Sequence, residues 1–190
     1  MPAIWERLLG VAGTQRGYVT AADAVELNVN PAELRKLAAR GRLMRVAQGL
    51  YRFTTWPAAR HDDLMEAVLW AGGRGVVSHD TALELHGLCD VNPRRIDITV
   101  PAAYRPRKAG GERFRVWQRD LGAQDLDEVE GIPVVTPAKA IEDGIRHGLT
   151  PTLAEQAITT ARERRLITGE QDWELRRLAA KRQLEALASE

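Results

Sequence analysis

The sequence predicts an α+β fold in two parts, and three observations support this expectation. Three helix patterns and a strand hairpin fill the first 56 residues. Farther along, short β-branched runs of alternating polarity lie among helical patterns, which indicates a small mixed sheet. A segment without periodicity, residues 54–59, separates the two parts. We therefore expect one domain over residues 1–56 and an α+β domain with a C-terminal helical tail over residues 57–190.

Three helices are expected in the first part. Residues 2–12 place their apolar side chains on one stripe. Thr20 and Asp23 have the spacing of a capping box, which opens a short second helix. After a turn, Asn30 caps a third helix that begins at Pro31. A short helix, a tight turn and a basic helix in this order are typical of a helix-turn-helix.

A strand hairpin follows the third helix. Leu43–Val46 and Leu50–Phe53 are strand-like runs on either side of a turn that contains Gly49. A hairpin in this position is the wing of a winged helix. The first part is therefore expected to be a winged helix-turn-helix domain.

The basic side chains of this domain predict a contact with double-stranded DNA. Phosphates accept point positive charges, and the major groove admits one helix whose outward side chains reach base edges. Leu34 and Leu37 should face inward, which turns the polar side of the third helix outward. The wing would reach the phosphate backbone or the minor groove of the DNA. The predicted DNA-binding residues are Arg35, Lys36, Arg40, Arg42, Arg45, Gln48 and Arg52.

Charge is unevenly distributed along the chain. The whole chain has a net charge of +1, whereas residues 1–56 hold eight basic and four acidic side chains. A basic domain favours a polyanionic partner. The alternative is a winged helix that binds a protein without reading DNA. A second basic patch in the loop 101–111 could touch nucleic acid, touch an acidic partner or simply be solvated, and its residues are Arg105, Arg107 and Lys108.

The composition predicts a cytoplasmic protein without a membrane partner. Cys89 is the single cysteine, which excludes an internal disulfide framework and favours a reducing compartment. The N-terminus lacks the pattern of a signal peptide, and no apolar run is long enough to cross a bilayer.

The second part should combine short strands with helices. Expected strands lie at 95–100, 114–117 and 133–135, and expected helices at 61–71, 78–86, 136–146, 152–166 and 170–188.

No catalytic, metal or cofactor site is expected. Ser78, His79 and Asp80 are consecutive at a predicted helix start, where they are not expected to face one another as a triad must. His79 and His86 lack the spacing of metal ligands. Glycine-rich phosphate-binding motifs are absent from the sequence. We therefore expect a protein that is not an enzyme.

Two phrases of the sequence are distinctive. One is the wing phrase Leu43–Tyr51, which has a hydrophobic–Arg–Val–x–x–Gly–x–Tyr pattern after the predicted helix-turn-helix. The other is a series in the second part, formed by Ser78-His79 with Ala82, Ile98–Pro101, and Gly131–Ala138 with Asp143. In this order the two phrases resemble the AbiEi family of antitoxins from bacterial toxin–antitoxin and abortive-infection operons.

This resemblance implies a winged-helix transcriptional regulator that represses its own operon. It also implies that the C-terminal domain counteracts a nucleotidyltransferase-like toxin, so the expected partners are operator DNA and the cognate toxin. Two positions depart from the family pattern. Lys139 stands where arginine is expected, and Trp117 stands where a polar residue or histidine is common.

Overall fold

The chain divides into two compact units. The computed structural model describes residues 4–107 and 109–188. The first unit runs to Gly75 and also takes Arg105–Arg113, whereas the second takes Val76–Tyr104 and the chain from Phe114 onward. The division into compact units thus lies later than residue 56. The assignment of one activity to each part of the chain stays a prediction.

The first unit has the order of a winged helix with one additional helix. The elements are α1 (Ile4–Thr14), β1 (Tyr18–Thr20), α2 (Ala21–Glu26), α3 (Ala32–Ala39), β2 (Leu43–Ala47), β3 (Leu50–Phe53) and α4 (Asp62–Trp70). The strands form an antiparallel sheet in the order β1-β3-β2. The three predicted helices and the predicted hairpin are present, although the predicted helix start at residue 2 lies outside the described residues.

One face of this sheet packs on the helices. Leu8, Leu34 and Phe53 are fully buried in a core that α1, α3 and β3 share. Val19 of β1 pairs with Tyr51 of β3 and lies in the same core. Strand β1 was not predicted, because three residues are too short to show a period in sequence.

The other face of the sheet contacts α4. Tyr18 and Arg52 are register partners, and strand alternation turns them away from the core that holds Val19. The Tyr18 hydroxyl lies 3.4 Å from Glu66, and Arg52 lies 2.7 Å from Asp62. Helix α4 therefore belongs to the first unit, although the sequence placed it in the second domain.

The segment predicted as a linker is fixed to the first unit. Residues 54–61 contain no helix or strand. Trp56 nevertheless lies against Gly17, where a Cβ would come within 2.3 Å of the indole. Gly17 also has a φ of +86°, which suits glycine. Ala59 donates its backbone N–H to Asp62 at 2.8 Å.

The second unit contains the predicted mixed sheet and helical tail. The elements are β4 (Val76–Val77), α5 (His79–Leu85), β5 (Ile96–Val100), β6 (Phe114–Gln118), β7 (Leu126–Val129), β8 (Ile132–Val135), α6 (Pro137–Arg146), α7 (Pro151–Glu163) and α8 (Gly169–Leu187). The strand order is β6-β5-β4-β8-β7, with parallel pairs β5/β6 and β4/β8 and antiparallel pairs β4/β5 and β7/β8. The structure thus confirms the α+β fold class. No helix in the described ranges is long and apolar enough to span a membrane.

A buried polar network joins the first helix of this unit to its sheet. His79 has a left-handed φ of 52°, and its Nδ1 lies 2.9 Å from Ser78 Oγ. Thr99 donates its hydroxyl to the same Ser78 oxygen at 2.9 Å. The expectation that the consecutive residues Ser78, His79 and Asp80 do not face one another is therefore wrong for Ser78 and His79. Ser78 is fully buried, so its hydroxyl has a structural partner rather than access to a substrate.

The His79 ring is held neutral by its surroundings. It stacks on Trp117 with centroids 4.0 Å apart, and its Nε2 has no hydrogen-bond partner within the described residues. Burial lowers the pKa of His79 to about 4, although the nearby Asp143 carboxylate opposes that shift.

Asp143 is a buried carboxylate of the same region. It is fully buried and accepts two hydrogen bonds from the Arg119 guanidinium, at 2.8 and 2.6 Å. Lys139 lies 3.4 Å away. Although burial alone would raise its pKa, the Arg119 hydrogen bonds and the Lys139 charge hold the pKa of Asp143 below its usual value.

The buried His79 predicts a loss of stability in mild acid. An unfolded histidine titrates near pH 6.5, so between about pH 6.5 and 4 the unfolded chain binds more protons than the folded one. The unfolding free energy should therefore fall as the pH is lowered through this window. His79→Asn suits the left-handed backbone and removes the titration. We expect the wild type to lose on the order of 2 kcal/mol more than this variant between about pH 7 and 4.5.

Urea unfolding of both proteins at the two pH values measures this difference. The cavity left by the substitution costs the same at each pH, and His86, whose pKa burial also lowers, titrates in both proteins. Equal losses in wild type and variant would show that His79 is not held neutral by the fold.

Candidate nucleic-acid interface

Helix α3 is fixed by its cap and by its apolar side. The Asn30 side chain accepts the backbone N–H of Ala32 at 2.9 Å, which satisfies a donor that the helix itself cannot. The helix begins at Ala32, one residue after the predicted start. Leu34 is fully buried, and Leu37 packs against the same core. The opposite side of α3 is thereby turned to solvent.

Three basic residues occupy that outward side, as the sequence predicted. Arg35, Lys36 and Arg40 are all exposed. Lys36 pairs with Glu33 at 2.7 Å, a contact one helical turn away that a ligand could displace because both groups are solvated. Arg35 and Arg40 have no ion-pair partner within the described residues.

The wing is a tight hairpin whose tip is tied to the helix-turn-helix. Gly49 supplies a φ of +71° at the turn. Its carbonyl accepts the backbone N–H of Ala21, the first residue of α2, at 2.8 Å. A register shift between Arg45 and Ala47 marks a bulge in β2, an edge strand of the sheet. The tip therefore has a defined position next to the start of α2.

Three of the predicted wing residues are exposed. They are Arg42, Arg45 and Gln48. The Arg42 guanidinium lies 5.2 Å from the centre of the Trp5 ring, within cation–π range. The Thr54 hydroxyl donates to the Gly41 and Arg42 carbonyls, which fixes the turn between α3 and β2. Helix α3 and the wing thus present their basic side chains from rigid backbone.

Arg52, the remaining predicted contact, is engaged inside the unit. Its side chain is 14% exposed, pairs with Asp62 at 2.7 Å and donates to the Pro57 carbonyl at 3.0 Å. Its guanidinium also lies 5.5 Å from the centre of the Tyr18 ring. Sequence reasoning missed this role because it treated the outer face of the hairpin as solvated. The acidic start of α4, Asp62-Asp63, was the available signal.

The predicted second basic patch belongs to the first unit. Arg105 and Arg107 are exposed, whereas Lys108 lies outside the described residues. The patch is part of Arg105–Arg113, which the contacts group with the winged helix. The sequence signal for this packing is the pair Gly110-Gly111, because a Cβ at Gly111 would lie 2.3 Å from the Trp70 ring.

No metal-binding cluster of histidine, cysteine and carboxylate side chains occurs in the ranges that the structure describes. The chemistry that the exposed residues of the first unit offer is the binding of anions by guanidinium and ammonium groups.

Comparison with known proteins matches both units. A family model described as transcriptional regulator, AbiEi antitoxin, matches residues 6–54. A second model, described as AbiEi antitoxin C-terminal domain, matches residues 75–150. A crystal structure of the RV2827C protein from Mycobacterium tuberculosis is similar to 96% of this chain and 78% of its own, with 16% identity and a TM-score of 0.48. No curated protein matches the chain.

The two family models agree with the features described above. The first covers the helix-turn-helix and the wing, and the second covers the mixed sheet with the Ser78 and Asp143 networks. Because the models match most of the sequence in the predicted order, the chain belongs to the AbiEi family of antitoxins and transcriptional regulators.

Proposed function

We propose that this protein binds operator DNA through α3 and the wing, represses its own operon, and counteracts a nucleotidyltransferase-like toxin. The observation that carries the DNA-binding proposal is the outward side of α3. There Arg35 and Arg40 are exposed, while Leu34 on the opposite side is fully buried. A helix anchored in this way can enter the major groove with its basic side facing the DNA.

The charge of the two units supports the same proposal. The first unit holds 14 basic and 8 acidic side chains, whereas the second holds 13 basic and 18 acidic ones. A polyanion such as DNA is therefore attracted to the first unit and repelled by the second. The difference in net charge between the two compact units is larger than the difference between residues 1–56 and the rest of the chain.

We assign toxin antagonism to the second unit. The support is the family model for an AbiEi antitoxin C-terminal domain, which matches residues 75–150. No catalytic step is part of the proposal. The proposed location is the cytoplasm, where the single thiol would stay reduced. Burial raises the pKa of the Cys89 thiol to about 11, which makes it a poor nucleophile.

Removal of the outward arginines of α3 should weaken specific operator binding. A bidentate base contact contributes about 1–3 kcal/mol of discrimination, so Arg35→Ala with Arg40→Ala should weaken operator binding at least about tenfold. Fluorescence anisotropy with the DNA upstream of its own gene measures the affinity. The matched control is Arg162→Ala with Arg177→Ala, which removes two exposed arginines from the second unit.

Two results would contradict the proposal in different ways. A folded α3 variant that binds DNA as tightly as wild type would show that α3 is not part of the DNA interface. Wild-type protein that shows no salt-dependent DNA binding would instead favour a module that engages a protein partner, because phosphate contacts make affinity fall with salt.

The two wing arginines should behave differently. Arg45→Ala should weaken binding to operator and unrelated duplexes equally and reduce the salt slope by about one unit, with unchanged stability. Arg52→Ala should lower the unfolding free energy by about 1–3 kcal/mol, because Asp62 loses a half-buried partner. Salt titrations and urea unfolding of both variants separate the roles. A stable Arg52→Ala protein with a reduced salt slope would return Arg52 to the DNA interface.

Repression and antitoxin action should be separable in the full-length protein. The α3 double variant, expressed from an unrelated promoter, should fail to repress a reporter driven by its own operator. It should still protect cells that express the toxin of the same operon, because its second unit is unaltered. Growth and reporter assays on one strain measure both. Loss of protection at normal protein levels would contradict the division of labour.

A further inference from the structure

One segment of the first unit comes from the middle of the chain. Strands β5 and β6 are parallel, so the chain must return between them through a crossover. Residues 101–113 make this crossover without a helix or strand within the described residues. Its last nine residues, Arg105–Arg113, are grouped with the winged helix. We call these nine residues the crossover segment.

The crossover segment is anchored to α4. The Trp70 indole donates to the Ala109 carbonyl at 3.1 Å. Arg113 forms an ion pair with Glu66, one turn earlier on the same helix. Gly111 lies against the Trp70 ring so closely that no larger residue fits without a shift. These contacts hold the segment at its C-terminal end.

The crossover segment also lies beside the wing. A Cβ at Gly110 would be 3.9 Å from the Cβ of Ala47, the last residue of β2. Arg107 is three residues from Gly110, so its Cα lies within about 11 Å of the Cα of Gly110. Strand β2 is an edge strand and carries the exposed Arg45.

Two arginines of the segment, Arg105 and Arg107, are available to a ligand. Arg105 and Arg107 are exposed, and neither has an ion-pair partner within the described residues. Pro106 between them fixes its own φ and keeps Arg105 out of the helical region, which reduces the conformational entropy lost on binding. Together with Lys108 and Arg113, these arginines give the segment four basic side chains. Glu112 is its one acidic side chain.

We propose that the crossover segment is a second DNA-contacting element, which binds backbone phosphates beside those contacted by the wing. The inference rests on the proposed DNA-binding function. We favour DNA over an acidic protein as the partner of this segment. The segment adjoins the wing, whose exposed Arg45 is itself proposed to bind DNA. Because the wing is proposed to contact backbone phosphates, we expect the adjoining segment to add affinity without sequence preference.

The test uses the full-length protein with Arg105→Ala and Arg107→Ala together. Anisotropy titrations at several salt concentrations use the upstream duplex and an unrelated duplex of equal length. We expect both affinities to fall by the same factor and the salt slope to fall by about two units. Arg162→Ala with Arg177→Ala removes the same charge from the second unit and should leave the slope unchanged.

Hydroxyl-radical footprinting locates the contact. Wild-type protein should protect backbone positions adjacent to those lost in Arg45→Ala, and the crossover variant should lose only that adjacent protection. An unchanged footprint and salt slope in the crossover variant would overturn the inference while leaving the proposed function intact. Normal DNA binding with lost protection against the toxin would also overturn it, in favour of an acidic protein partner. Absence of wild-type binding would refute the proposed function itself.

Discussion

The first unit depends on one carboxylate at the start of α4. Asp62 accepts from Arg16 at 3.2 Å, from Arg52 at 2.7 Å and from the Ala59 backbone at 2.8 Å. The turn after α1, the strand β3 and the chain leaving the hairpin therefore meet at one anion. Its place in the first helical turn is also favourable for a negative charge. With this contact the sheet is covered on both faces, and α4 becomes part of the winged-helix unit.

The contacts of Asp62 distinguish arginines that hold the unit together from arginines that are exposed to solvent. Arg16 and Arg52 share Asp62, so both guanidinium groups are already engaged inside the unit. Arg35, Arg40 and Arg45 are exposed and have no acidic partner within the described residues. A count of basic residues cannot make this distinction, because it gives each arginine equal weight. The second group can exchange solvent for phosphate without breaking the fold, whereas the first group cannot.

The residues that carry the family resemblance are mostly constraints on folding. Gly49 supplies the left-handed turn of the wing. Ser78, His79 and Asp143 are buried and hydrogen-bonded, and they join α5 and α6 to the sheet of the second unit. Unpaired buried polar groups are costly, so such networks tolerate few replacements. The phrases therefore identify the family reliably, while the residues proposed to contact DNA lie on solvent-exposed positions outside these networks.

The sequence by itself determined the local elements, because caps, turns and apolar periods act within a few residues. The Thr20–Asp23 capping box, the Asn30 cap and the Gly49 turn placed the helix-turn-helix and the wing within one or two residues. Only the tertiary structure decided the pairing of β1, the attachment of α4, the burial of Arg52 and the return of the crossover segment. Each of these rests on contacts between residues distant in the chain, such as Trp70 with Ala109, and no local pattern encodes which distant partner a side chain will meet.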